Sequence, residues 1–136
     1  RDFMLVLDEN LPAGQRLLLR KWRIRFRAIG GELGTAGTKD ENLIPLLHRL
    51  PQPTFISLDR DFYLPELAHA RYCLVWLDTR ANAAAQFVRK FLRHPEFNTR
   101  ARRMGLVVRV NEAGLSWWRK GHRLPRETPW SDQATG

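Results

Sequence analysis

The sequence is poor in cysteine, in acid relative to base, and in long apolar runs. A single cysteine, Cys73, in 136 residues excludes an intrachain disulfide framework and fits a reducing cytosol. Its expected role is that of a small buried core residue. His48, His69, His94 and His122 lack the spacing of zinc ligands, and one thiol cannot complete a thiolate site, so surface or packing roles are expected of them. No apolar run approaches the roughly 20 residues of a membrane span, which predicts a soluble, cytoplasmic protein. The glycine-rich "GGELGTAG" (30–37) has no Walker lysine and does not lead promptly into a helix. It is a poor phosphate loop and reads as a mobile flap. No internal repeat or low-complexity segment stands out. The chain begins Arg1-Asp2-Phe3 without an initiator Met, which leaves room for an upstream piece, a targeting signal included.

What the sequence does hold is positive charge. Lys and Arg number 23 against 14 Asp and Glu, a formal net charge of +9. A field of that sign attracts phosphate chains by displacing their counterions. It fits nucleic acid better than an anionic membrane or an acidic protein. The cations fall in two runs: Arg16, Arg20, Lys21, Arg23, Arg25 and Arg27, then Arg89, Lys90, Arg93, Arg100, Arg102 and Arg103. Both also suit solvated faces. The chain length suits one domain with a real core.

Short apolar runs punctuate the chain. "FMLVL" (3–7), "TFISL" (54–58) and "YCLVWL" (72–77) are continuous enough to be strands covered on both faces. "RIRFRAI" (23–29) alternates, with Ile24, Phe26 and Ala28 opposite Arg23, Arg25 and Arg27, which predicts a strand buried on one side near a sheet edge. After Pro12, Leu17, Leu18 and Trp22 suit one helical face. "ENLIPLLHRL" predicts a short helix with Leu43, Ile44, Leu47 and Leu50 inward, beginning late or kinked because of Pro45. A broken helical stretch is expected around Pro65. From Thr79 to His94 the i, i+3, i+4 recurrence of Ala83, Ala84, Phe87, Val88, Phe91 and Leu92 predicts an amphipathic helix. Leu106–Val110 and Leu115–Arg119 read as a hairpin. Residues 1–120 form the expected domain, and residues 121–136 read as a flexible tail.

Alternating strands and helices predict an α/β domain with a mainly parallel sheet and helices on both faces. Ligands of such folds collect at the carboxyl ends of the strands. Asp8 ends the first strand, Asp59 and Asp61 follow the third, and Asp40 opens a helix. Gathered carboxylates repel one another unless a cation compensates, and an all-oxygen set suits Mg²⁺ or Mn²⁺. Such ions bind phosphate oxygens and lower the pKa of bound water, the needs of phosphodiester hydrolysis. Taken singly, Asp40 also suits an N-cap, Asp59 and Asp61 turn formers, and Asp8 a cap. Glu9 and Glu41 could add ligands or face solvent. Asn10 could reach a metal water or make an Asx turn, and Ser57 could orient Asp59 or end a strand. Trp117 and Trp118 beside Arg119 and Lys120 could stack on bases, with a core or interface role favoured.

"VLDENLP", the glycine-rich loop leading to "TKDENL", and "SLDRDF" together resemble the PIN-like nucleases predicted as toxins of toxin–antitoxin pairs, and the related Mut7-C-like domain. The resemblance covers roughly residues 4–78. It implies a PIN-like three-layer sandwich, here with a C-terminal β-hairpin, and a ribonuclease dependent on Mg²⁺ or Mn²⁺ acting on single-stranded RNA. It implies catalytic and metal roles for Asp8, Asp40, Asp59 and Asp61. Arg16, Arg20, Lys21, Lys39 and Arg60 are the candidate nucleic-acid contacts, with Arg60 directed away from its flanking acids. The partners expected are RNA and an antitoxin protein, with room for a homodimer and no membrane. Two other readings stand beside it: a nucleic-acid-binding module that cleaves weakly or not at all, and an interaction domain docking an acidic partner. Pro45 and the C-terminal extension with "LSWWRKG" depart from the family's compact pattern.

Overall fold

A computed structural model describes residues 4–29 and 40–130, with the side chains of Asp40 and Glu41 outside that description. The fully apolar runs do form central strands. Strands β1 (Leu5–Leu7), β3 (Thr54–Ser57), β4 (Cys73–Leu77) and β5 (Leu106–Asn111) lie side by side and parallel, and β2 (Arg27–Ala28) adds a parallel edge. β6 (Gly114–Arg119) and β7 (Arg126–Pro129) extend the other side antiparallel, giving the order β2-β1-β3-β4-β5-β6-β7.

Alternation along each strand sorts side chains into two cores. Leu5, Leu7, Ile56, Val75 and Val108 pack with helices α1 (Ala13–Lys21) and α3 (Ala84–Arg93) on one face. Val6, Phe55, Leu74 and Val107 pack with α2 (Asp40–His48) on the other. Both faces of the central strands are therefore dry, which explains why they lack a polar alternation. Cys73 is fully buried in the first core, and burial pushes its thiol up to about 12. No helix among the described residues is long and apolar enough to cross a membrane.

Several expectations need correction. The buried face of α1 carries Leu19, with Leu18 and Trp22 packed beside it, whereas Leu17 is 60% exposed. Leu18, Trp22 and Leu19 fall within about 100° of the helix circumference, and Leu17 lies about 100° beyond Leu18 on the other side. α2 runs through Pro45 rather than starting after it. The lost intrahelical bond is offset by burial of Leu43 and Leu47 against the sheet. Arg100–Arg103 forms a short helix, α4, capped by the Thr99 hydroxyl accepting the Arg102 N–H. Arg103, counted with the exterior cations, is wholly buried. Its guanidinium donates to Thr54 Oγ1 at 2.8 Å and to the Phe97 carbonyl at 2.9 Å.

The stretch from Gly121 onward departs most from expectation. Arg126–Pro129 is the seventh strand, paired residue for residue with Trp117–Gly114. Trp130 is buried against Phe87 and His94, and its Nε1–H donates to the Asn111 carbonyl at 2.6 Å. Backbone approach at this pairing is tight. A Cβ added to Gly114, whose φ is +150°, would stand 2.6 Å from the Thr128 carbonyl oxygen. Residues 131–136, the rest of the expected tail, and the glycine-rich segment 30–37 lie outside the described residues.

Candidate active site

β1 leads away to β2 on one side, while β3 lies on its other side. The strand order thus reverses between β1 and β3, and the crevice at their carboxyl ends is where doubly wound sheets bind ligands. Leu7 pairs with Ile56, and the Asp8 N–H donates to the Ile56 carbonyl at 2.9 Å. That register sets Asp8 beside Ser57 across 49 residues of sequence.

One hydroxyl ties the site together. Ser57 is completely buried. Its Oγ–H donates to Asp8 Oδ2 at 2.6 Å, and its oxygen accepts the Asp59 N–H at 2.9 Å and Asn10 Nδ2–H at 3.2 Å. Asn10 closes the ring by accepting the Leu58 N–H on Oδ1 at 3.2 Å. Asp59 Oδ1 accepts the Asp61 N–H at 2.9 Å, capping the 3₁₀ turn Arg60–Phe62. Phe62 is buried and meets Phe55 edge-on, which anchors that turn to the sheet.

Burial pushes the Asp8 carboxyl above the ordinary carboxylate range. The Ser57 hydroxyl and the Glu9 N–H, which donates to Asp8 Oδ1 at 2.8 Å, pull it down; the Glu9 and Asp59 carboxylates push it up. Asp8 and Asp59 are therefore close enough to repel each other.

The sequence-derived candidates divide accordingly. Asp8, Ser57, Asn10 and Asp59 converge, with Asp61 adjacent but exposed and Glu9 exposed beside Asp8. Asn10 and Ser57, expected to be auxiliary, are the hub. Asp40 opens α2, but its side chain, like those of Lys39 and Glu41, lies outside what is described. Arg16 sits in the second turn of α1, half-buried, and Arg60 is exposed between the two acids of its turn. Arg20 and Lys21 do not join the acids. α1 runs back from the carboxyl end of β1 to feed parallel β2, and Arg20 shares a groove with Met4 and Leu5 at the amino end of β1.

Sequence reasoning missed the residues that continue the row of Ser57. Pairing places Trp76, Arg109 and Ser116 successively beside it across β4, β5 and β6. Tyr63 packs on Trp76 with ring centroids 5.6 Å apart and donates its hydroxyl to Ser116 Oγ at 3.2 Å. Only strand register reveals this row; no local motif does.

Asp8 and Asp59 offer hard oxygen donors, and the disfavoured negative charge on Asp8 is what a cation would relieve, so the pair fits Mg²⁺ or Mn²⁺. No group of three or more Asp, Glu, His or Cys side chains among the described residues is placed to hold a metal. Comparison with protein-family models, with curated proteins and with solved structures finds no match to this chain.

Proposed function

We propose that the chain is a metal-dependent ribonuclease of PIN-like fold that hydrolyses phosphodiester bonds in single-stranded RNA. The observation that carries this reading is the meeting of Asp8 and Asp59 through buried Ser57 in the crevice between β1 and β3. Asp8 and Asp59 would hold the ion, with Asp40 and Asp61 as further donors. When bound, Mg²⁺ or Mn²⁺ supplies a low-pKa water and a counter-charge for phosphate oxygens. Ser57 fixes the direction of the Asp8 carboxylate and, through the Asp59 N–H, the start of the turn that presents Asp61. Asn10 ties the loop after β1 to the loop after β3, so the two acids keep their separation. Arg16, in the helix that follows β1, and Arg60, in the turn that follows β3, are cations that could meet a phosphate chain there. A toxin opposed by an antitoxin protein in the cytoplasm is the setting that suits such an enzyme.

The test uses labelled single-stranded RNA with Mn²⁺ or Mg²⁺. Cleavage is expected to stop in EDTA and in Asp59→Asn. Cleavage that persists in either comes from a contaminant and removes the proposal. A second reading, a binding module without catalysis, is favoured by the protein's own claim on Asp8, each of whose oxygens already accepts one bond from the chain. RNA binding that weakens steeply with salt, without any cleavage, would select it.

A further inference from the structure

At the amino edge of the sheet, at the far end of the strands from the acids, lies an open groove of about 670 Å³. Arg20, Arg23, Arg25 and Arg27 wall it, Met4, Phe26 and Pro51 contribute apolar surface, and among the described residues no carboxylate lines it. Arg23, Arg25 and Arg27 are exposed while Ile24 and Ala28 are buried. In extended chain, alternate side chains stand about 6.6 Å apart on one side. That spacing holds for Arg25 and Arg27, which form a short rail of guanidinium groups, while Arg23, at a φ of +63° in the turn that ends α1, joins the groove from the helix side. β2 is the sheet edge, so no strand among the described residues covers that rail. Arg20 reaches over the Phe26 ring at 4.8 Å, a stacking that leaves guanidinium N–H groups free to donate at the edge.

Charged side chains on an edge strand commonly serve only to block edge-to-edge pairing, and lysine is the usual choice. Here all four cations are arginine and one stands on a different element across the groove. Arginine's planar fork matches phosphate oxygens bidentately. We propose that this groove binds the sugar–phosphate chain of a single-stranded polynucleotide, as a site separate from the acids and independent of cleavage. Bases or sugars would lie on the apolar surface of Met4, Phe26 and Pro51 while the arginines hold phosphates.

The experiment reads binding in EDTA, so a failure of metal-dependent cleavage leaves its outcome unaffected. Fluorescence anisotropy with a fluorescein-labelled 20-nucleotide oligouridylate compares the full chain with Arg25→Gln/Arg27→Gln. The charge-matched control is Arg119→Gln/Lys120→Gln, at two exposed positions. Each phosphate neutralised on a single strand contributes about 0.7 to the slope of log K against log salt, so the groove variant should lower that slope by about 1.4. Binding should weaken by at least about tenfold at 0.1 M salt, with the control well short of that. A groove variant that binds like the control overturns the proposal. So does a polyglutamate peptide of equal length that binds more tightly than the oligonucleotide and loses affinity in the same variant, since that assigns the groove to an acidic protein. A second measurement needs no variant: photo-crosslinks from a 4-thiouridine oligonucleotide should map to residues 20–29. Crosslinks confined to residues 8–16 and 57–62 would place the strand at the acids and overturn the groove.

Discussion

At the scale of single residues, Ser57 matters more than its size suggests. Its oxygen is shared by Asp8, Asn10 and the Asp59 N–H inside the protein. Ser57→Ala would take the acceptor from the part-buried Asp59 N–H and free the Asp8 carboxylate to rotate. Loss of such a supporting partner is expected to lower activity by about 10–100-fold and to move the metal-titration midpoint in parallel. Lower activity with an unchanged midpoint would mean that Ser57 acts on folding alone. Asp8 makes an opposite prediction for stability. Its carboxyl is raised in the folded state, so the stability it contributes is complete below the unfolded carboxylate value and is lost as pH rises through the folded one. At neutral pH the ionised group opposes folding. Asp8→Asn should melt above the wild type at pH 7 in chelator, with the gap closing as pH falls to acid values, while cleavage disappears. A variant that melts lower at pH 7 would refute this account of the site. Asp8 and Asp59 were legible in the sequence because each ends an apolar run. The Ser57 hub was not, because it depends on Asp8 and Ser57 being set side by side by a register that no local pattern encodes.

Among the elements, those that bury continuous apolar surface were readable and those held by their neighbours were not. β1, β3, β4 and the hairpin carry their own apolar signal, and α3 places Ala84, Phe87, Val88, Phe91 and Leu92 inward at helical spacing. β7 has no such signal. Its sequence is Arg-Glu-Thr-Pro, of which Thr128 alone is buried. It is a strand because β6 offers an open edge and Trp130 fixes its far end. Trp130 meets Phe87 and His94, accepts Lys90 Nζ over its ring at 4.4 Å, and donates to the Asn111 carbonyl. Trp130→Ala should therefore cost about 3–5 kcal/mol in a urea melt, the usual range for truncating a buried aromatic. It should also speed hydrogen exchange in Leu115 and Trp117 as β7 lifts away. A cost within about 0.5 kcal/mol, the range of an ordinary surface change, would show that the segment after Gly121 behaves as the expected tail. The two-residue β2 shows the same dependence from the other edge: its alternation was legible, but the paired length was not.

For the molecule as a whole, the sheet separates charge along its strands. The crevice between β1 and β3 holds Asp8 and Asp59, while the opposite end carries the groove of Arg20, Arg23, Arg25 and Arg27. The basic run was evident in the sequence, but not its distance from the acids, because α1 carries the chain back across the sheet before most of the arginines appear. Burial also removes Arg103 from the exterior cations. Arginines gathered in this way on a chain of net charge +9 repel one another, and salt relieves that repulsion as the Debye length falls from about 30 Å at 0.01 M to about 8 Å at 0.15 M. The same ions compete for the arginines that a polynucleotide would neutralise. Salt should therefore act with opposite signs on the two properties: thermal stability should rise between 0.01 M and 0.15 M while affinity for single-stranded RNA falls. Differential scanning fluorimetry and anisotropy on the same salt series would measure both. In Arg25→Gln/Arg27→Gln both dependences should flatten, because the groups that repel one another in the free protein are those that hold phosphate in the complex. If stability keeps its salt dependence while binding loses it, the repulsion resides elsewhere on the surface, and the groove acts in binding alone.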